Sequence, residues 1–147
     1  MTKINWERVF LGGLAGGIVV LVVDIFVNGV ILGREWKAAY EAMGHPPQAS
    51  GLIVLVLWAF LIAISAAWLY AAARPRFGPG PATAVKTGIA LWVFSYGLPT
   101  IGLLSFRIFP AHLPIGSAAG GVVEALLASL IAGWIYREAE LARPAAQ

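Results

Sequence analysis

Two carboxylates stand alone in apolar sequence. Asp24 interrupts IVVLVVDIFVNGVIL (18–32), with Asn28 one helical turn further on, and Glu124 closes GSAAGGVVE (116–124). An acid in such surroundings is costly to keep charged, so it holds a proton, pairs with a partner or engages a cation. Those are the states of a proton or cation site. A carboxyl that keeps its proton can equally donate to an amide or hydroxyl and act as interhelical glue. Both roles are open from residue type alone. No Lys or Arg falls at the level of either acid along the chain, so at least one is expected to hold a proton.

Other chemistries find less support. The chain has no cysteine, which removes disulfides and thiolate metal sites. His45 and His112 fall outside the apolar runs without ligand spacing and read as solvated loop residues, so no metal site is expected. A nucleophilic triad would require one of these histidines to reach a serine deep in an apolar segment. Walker, dinucleotide and HExxH patterns are missing from the sequence. The expectation is a protein that is not an enzyme, and no cofactor is indicated.

The elements that hold the acids follow from composition. Hydrophobic residues make up 60% of the 147, charged residues 12%, and mean hydropathy is +0.83. The apolar residues fall into four blocks, about 9–31, 51–73, 83–105 and 115–136, each long enough to cross a bilayer. This predicts an all-α fold: one domain over 1–147, an integral membrane four-helix bundle. The first block is too long for a signal-peptide core and reads as a retained helix. At the rise of an α-helix, Asp24, Glu124, Trp58, Ser95 and Tyr96 all lie roughly 18–22 Å from the same end of their helices. One polar or polarisable group from each helix therefore reaches a common level, and with Asn28 they form the candidate proton, cation or ligand site.

Small residues mark the faces that should meet. Gly13, Gly17, Asp24 and Asn28 share one face of the first helix at about 100° per residue. In the fourth, Ser117, Gly121, Ala125, Ser129 and Gly133 recur every four residues beside Glu124, while Val123, Leu126, Leu127 and Leu130 take the other side. In the third, Gly88, Ser95 and Gly102 are seven apart. Such residues let backbones approach closely in lipid, where packing drives association. GGLAGGIVV (12–20) also resembles GSAAGGVVE (116–124) on a helix of opposite direction, the pattern an inverted repeat leaves.

Basic residues predict orientation. Lys3, Arg8, Arg74, Arg76, Lys86, Arg137 and Arg143 fall on one side of the bundle, and Arg34, Lys37 and Arg107 on the other. The positive-inside rule then places both termini in the cytoplasm. The pI near 9.6 reports inner-leaflet anchoring, and no nucleic-acid partner is expected. Between spans, RPRFGPGP (74–81) reads as a turn that Gly and Pro close to helix, and Pro114 as the first residue of the fourth helix. Trp36, Tyr40 and Met43 recur at helical spacing before Gly44 and Pro46–Pro47, predicting a short amphipathic helix at the outer interface.

The run ILGREWKAAYEAMG after an acidic first helix, followed by RPRFGPGP, resembles small bacterial membrane proteins grouped as a domain of unknown function. The resemblance implies a four-helix topology and a multi-pass bacterial inner-membrane setting, and it implies no activity. Two functions are then expected from the residues. The first is a small, oligomeric proton- or cation-linked carrier or channel using Asp24 and Glu124. The second is an accessory or assembly subunit docked on a larger membrane complex. The expected partners are the lipid bilayer and further copies of the chain or that complex.

Overall fold

The computed structural model describes residues 4–45 and 49–136, and every regular element among them is helical. The first long helix begins as α1 (Trp6–Asp24). Asn5 caps it by accepting the Arg8 amide at 3.2 Å, and Glu7 in the first turn faces the positive end of the helix dipole. From Ile25 to Ile31 the same rod widens into a π-helical segment, π1, which closes where the Leu32 N–H donates to the Val27 carbonyl at 2.9 Å. A short helix follows, α2 (Gly33–Ala42). It is the amphipathic helix expected of this loop: Trp36 and Tyr40 lie on one side, and both rings meet Phe109, at 5.1 and 5.8 Å between centroids. It stops where Gly44 turns to φ +73°, a conformation that favours glycine, and the Gly44 and His45 amides bond back to Glu41 and Tyr40. Pro46 and Pro47, the rest of the expected stop, lie outside the described residues.

Next comes α3 (Ala49–Phe77), which runs further than expected. Pro75 lies within its last turn, where it withholds only its own N–H, and the helix closes with Gly78 donating to the Arg74 carbonyl at 2.8 Å. The turn is therefore only Gly78–Gly80, set by two glycines at positive φ and tied down by Tyr70, whose hydroxyl accepts the Gly80 amide at 3.0 Å. Pro81 then opens α4 (Pro81–Trp92), which passes through a second π segment, π2 (Val93–Gly97), into α5 (Leu98–Phe106). The last helix, α6 (His112–Ile135), starts two residues before Pro114. Pro114 is third in the helix, not first; it is tolerated there because first-turn amides have no partner in the helix anyway. His112 accordingly belongs to this first turn and not to a loop.

Four rods of 24 to 27 residues result, Trp6–Ile31, Gly51–Phe77, Pro81–Phe106 and His112–Ile135, each long and apolar enough to cross a membrane. At about 1.5 Å per residue they are roughly 36–40 Å long, against a hydrocarbon core of about 30 Å. They cover the four expected blocks and extend past most of their ends. Short connections make neighbours antiparallel. α6 touches the other three rods, α3 meets it across the middle, and α1 and α4 lie to either side.

The core is mostly alanine. Ala59, Ala63, Ala66, Ala125 and Ala128 surround Val20, and a second cluster joins Val9, Ala67 and Ala132 to Tyr70 and Tyr136. Gly13 shows why small residues are needed: a Cβ there would lie 2.8 Å from the Ile64 Cα. The Asn5 amide donates to the Tyr136 hydroxyl at 3.2 Å, so the first and last described helices begin and finish at one end of the bundle. That end is called the terminal end below, and the opposite one the α2 end.

Candidate functional site

Asp24 is the last residue of α1 and is buried. Its Oδ1 accepts from the Asn28 amide at 2.9 Å, the contact that a four-residue helical spacing permits. Asn28 stands on π1 and is committed in three directions. Its Oδ1 also accepts from the Trp36 indole at 3.2 Å and from the Ser117 hydroxyl. One amide thus ties the first rod to α2 and to α6. Beside it opens a cleft of about 630 Å³, with Asp24, Asn28 and Ser117 at its polar side and Trp36, Leu52 and Leu55 among its walls.

Glu124 lies on α6 and is fully buried. Its Oε2 accepts from the Tyr96 hydroxyl at 2.6 Å, while its Oε1 has no hydrogen-bond partner among the described residues. Tyr96 stands on π2, and Trp58 of α3 presents an edge to its ring at 5.5 Å between centroids. The ring lies flush on Gly121, where any Cβ would overlap it.

The expected site residues are therefore unequally placed. Asp24 with Asn28, and Glu124 with Tyr96 and Trp58, form the two pairs. Ser95 is half-buried, and its hydroxyl makes no hydrogen bond to another described residue. Among the packing residues, Gly13 and Gly17 face Ile64 and Phe60, a Cβ at Gly88 would lie 3.0 Å from the Ala125 carbonyl oxygen, and Gly133 faces the Tyr70 ring. Ser129 is fully buried. Ser117 is a polar partner of Asn28 as well as a small residue on α6. Gly102 is the exception, because a Cβ there would meet nothing within 4 Å. The reason is π2: its wider turn rotates α5 out of the seven-residue register that begins at Gly88. Leu126 and Leu130 are also not simply outward, since Leu126 covers Gly88 and Leu130 packs on the Tyr70 cluster, whereas Val123 is exposed.

Trp36 is the functional residue that sequence reasoning missed, having read it only as an interfacial anchor. Its eight-residue separation from Asn28 carries no signal, since the contact depends on π1 and on the sharp passage at Leu32 into α2. His112 pairs with Glu35 of α2, so that histidine fastens α2 to the head of α6. Among the described residues, no group of three or more His, Asp or Glu is placed to hold a metal ion. What the arrangement offers is two carboxyls, each with one oxygen fixed by a donor, and a cleft that reaches one of them. No protein-family model matches the chain, nor does any curated protein or solved structure.

Proposed function

We propose that the protein is a multi-pass bacterial inner-membrane protein that acts as a small proton- or cation-linked carrier, with Asp24 and Glu124 as its exchanging groups. The observation that carries this reading is Glu124: a fully buried acid with one oxygen held by Tyr96 and the other without a partner. A residue serving only as glue would be expected to use both. Asp24 faces the cleft and receives the proton or cation first; Glu124 holds it deeper in the bundle. Both acids lie next to or opposite π segments, which are common at functional sites because they loosen a helix locally.

The test compares wild type with Asp24→Asn, which keeps shape and hydrogen-bonding capacity but cannot exchange a proton. Carboxyl infrared absorption and proton flux in proteoliposomes are followed across about pH 5–9, the span over which shifted carboxyls titrate. In the variant the flux and the Asp24 part of the titrating absorption should vanish, while the Glu124 part remains. Equal flux in the two proteins, with stability lost instead, would make Asp24 a packing residue. Orientation is checked separately with an impermeant maleimide on intact cells: His45→Cys should label and Gly78→Cys should not, as both termini in the cytoplasm require.

A second reading, the accessory subunit, is favoured by one feature. The second part of the span Pro81–Phe106 is little covered by its neighbours: π2 buries Tyr96 alone, α5 buries no residue, and α5 bears the uncovered Gly102. A face so bare suits a further copy of this chain, which a carrier of four helices would need to enclose a pathway, or a larger complex. Gentle detergent extraction separates them: a homo-oligomer keeps its mass when purified alone, while a subunit brings down a different protein in fixed ratio.

A further inference from the structure

The cleft beside Asp24 has a definite chemical sign. One Asn28 N–H is given to Asp24, and the amide oxygen already receives the Trp36 indole and the Ser117 hydroxyl. Those donors point at Asn28 and offer little to a guest. The group with charge to offer is the second oxygen of Asp24, which makes no hydrogen bond to another described residue. No Lys, Arg or His lines the cleft, so an anionic headgroup would meet a carboxylate with no cationic side chain to offset it. A cation would meet its counter-charge in a setting of low polarity, where ion pairing is strong.

Size and lining narrow the cation further. A proton or bare metal ion needs a few oxygens and almost no volume, yet about 630 Å³ is open here, within the range of sites for small organic molecules. The walls are Leu52 and Leu55 of α3, with Trp36 and Tyr40 of α2 opposite. These surfaces match hydrocarbon substituents, and aromatic rings add attraction for a cation brought against them. We propose that this cleft binds a lipophilic organic cation, an ammonium or phosphonium centre carrying apolar groups, by pairing it with Asp24 between the aromatic side chains of α2 and the leucines of α3. The assignment rests on the carrier reading above and names the chemical class that such a carrier would exchange against protons at Asp24.

The probe is tetraphenylphosphonium, with tetraphenylborate as an anion of nearly the same shape. Equilibrium binding is measured on the full chain in lipid nanodiscs for wild type, Asp24→Asn and Leu55→Trp. Wild type should bind the phosphonium saturably and show no saturable binding of the borate. Asp24→Asn should weaken phosphonium binding about thirtyfold or more, as loss of a buried charge partner does. Leu55→Trp, which fills the cleft without touching the carboxyl, should abolish binding even if Asp24→Asn proves unstable. Phosphonium affinity unchanged in either folded variant overturns the proposal, as does saturable borate binding in wild type. Proton flux is scored apart from binding. Flux without phosphonium binding removes the ligand class and leaves the carrier, whereas binding without flux removes the carrier and leaves a cation-binding membrane protein.

Discussion

Near the terminal end, α1 and α6 all but touch: a Cβ on Gly12 would lie 3.3 Å from the Ala132 Cα. Further along, toward the α2 end, the same two rods are spaced by Asp24, Asn28 and Ser117, and a cleft opens beside them. The terminal half is regular α-helix with alanine and glycine at its crossings. Its buried polar groups are locally satisfied where they are threonines: Thr87 donates to the Thr83 carbonyl at 3.1 Å, and Thr83 to the Gly78 carbonyl at 2.7 Å. The other half contains both π segments and both acids. The division is the one a bilayer would impose. With no hydrophobic force between helices, cohesion requires close backbone approach, and close approach leaves no space for a guest. One half meets backbone to backbone, whereas in the other the side chains of Leu32, Val27 and Tyr96 fill the space over Gly116, Gly120 and Gly121 and a cleft stays open beside them.

That contrast can be broken most severely from the cohesive half. Gly13→Leu drives a branched side chain into the backbone of Ile64 and should cost about 3 kcal/mol or more, the upper range for overpacking. Thermal melting in detergent should show loss of the folded bundle, and a variant that melts like wild type would mean the close crossing is not a source of stability. Gly121→Ala strikes the site half and should cost less, about 1–3 kcal/mol, because its Cβ meets the movable Tyr96 ring and not a backbone. It should also separate Tyr96 from Glu124, seen as a shift of the carboxyl infrared band. Leu127→Ala, at a half-buried position on the same helix, should disturb melting less than Gly121→Leu. Trp36→Phe comes next: it removes one hydrogen bond to Asn28 for about 1 kcal/mol and frees α2, raising the exchange of α2 amides with deuterium while α6 amides stay protected.

The two halves were not equally legible in the sequence. Close packing at Gly13, Gly17 and Gly121 follows from small residues at regular helical steps, and the terminal half is regular. The pairing of Asp24 with Asn28 was legible for the same reason, since four residues is one turn. The level shared by Glu124, Tyr96 and Trp58 came from counting rise along straight helices. The count fails wherever a helix widens. π1 and the turn at Leu32 bring Trp36 onto Asn28, and π2 carries Gly102 off its face, and neither segment has a sequence signature comparable to a proline or a cap. Pro75 and Pro114 misled in the opposite sense. They read as boundaries, but Pro114 sits in a first turn, where a missing N–H is tolerated, and Pro75 costs one bond to the Ala71 carbonyl with only two helical residues still to follow.

The smallest effect expected on the single chain belongs to Gly102, and it tests how far the contrast between halves extends beyond one copy. A Cβ there would meet nothing within 4 Å, so Gly102→Leu should not destabilise an isolated chain and should stabilise it by about 0.7 kcal/mol through helix propensity. A glycine on a bare helix is costly to keep without a reason, because an exposed interior glycine lowers helix stability by roughly 1 kcal/mol relative to alanine. If α4 and α5 meet another helix in the membrane, the leucine will instead hold that neighbour away. Native mass spectrometry of wild type and Gly102→Leu in the same detergent separates these cases. A shift from oligomer to single chain at unchanged helix content would place the interface on this span, beside the half that carries the site. Identical assembly in both would move the interface elsewhere and leave the bare face to lipid.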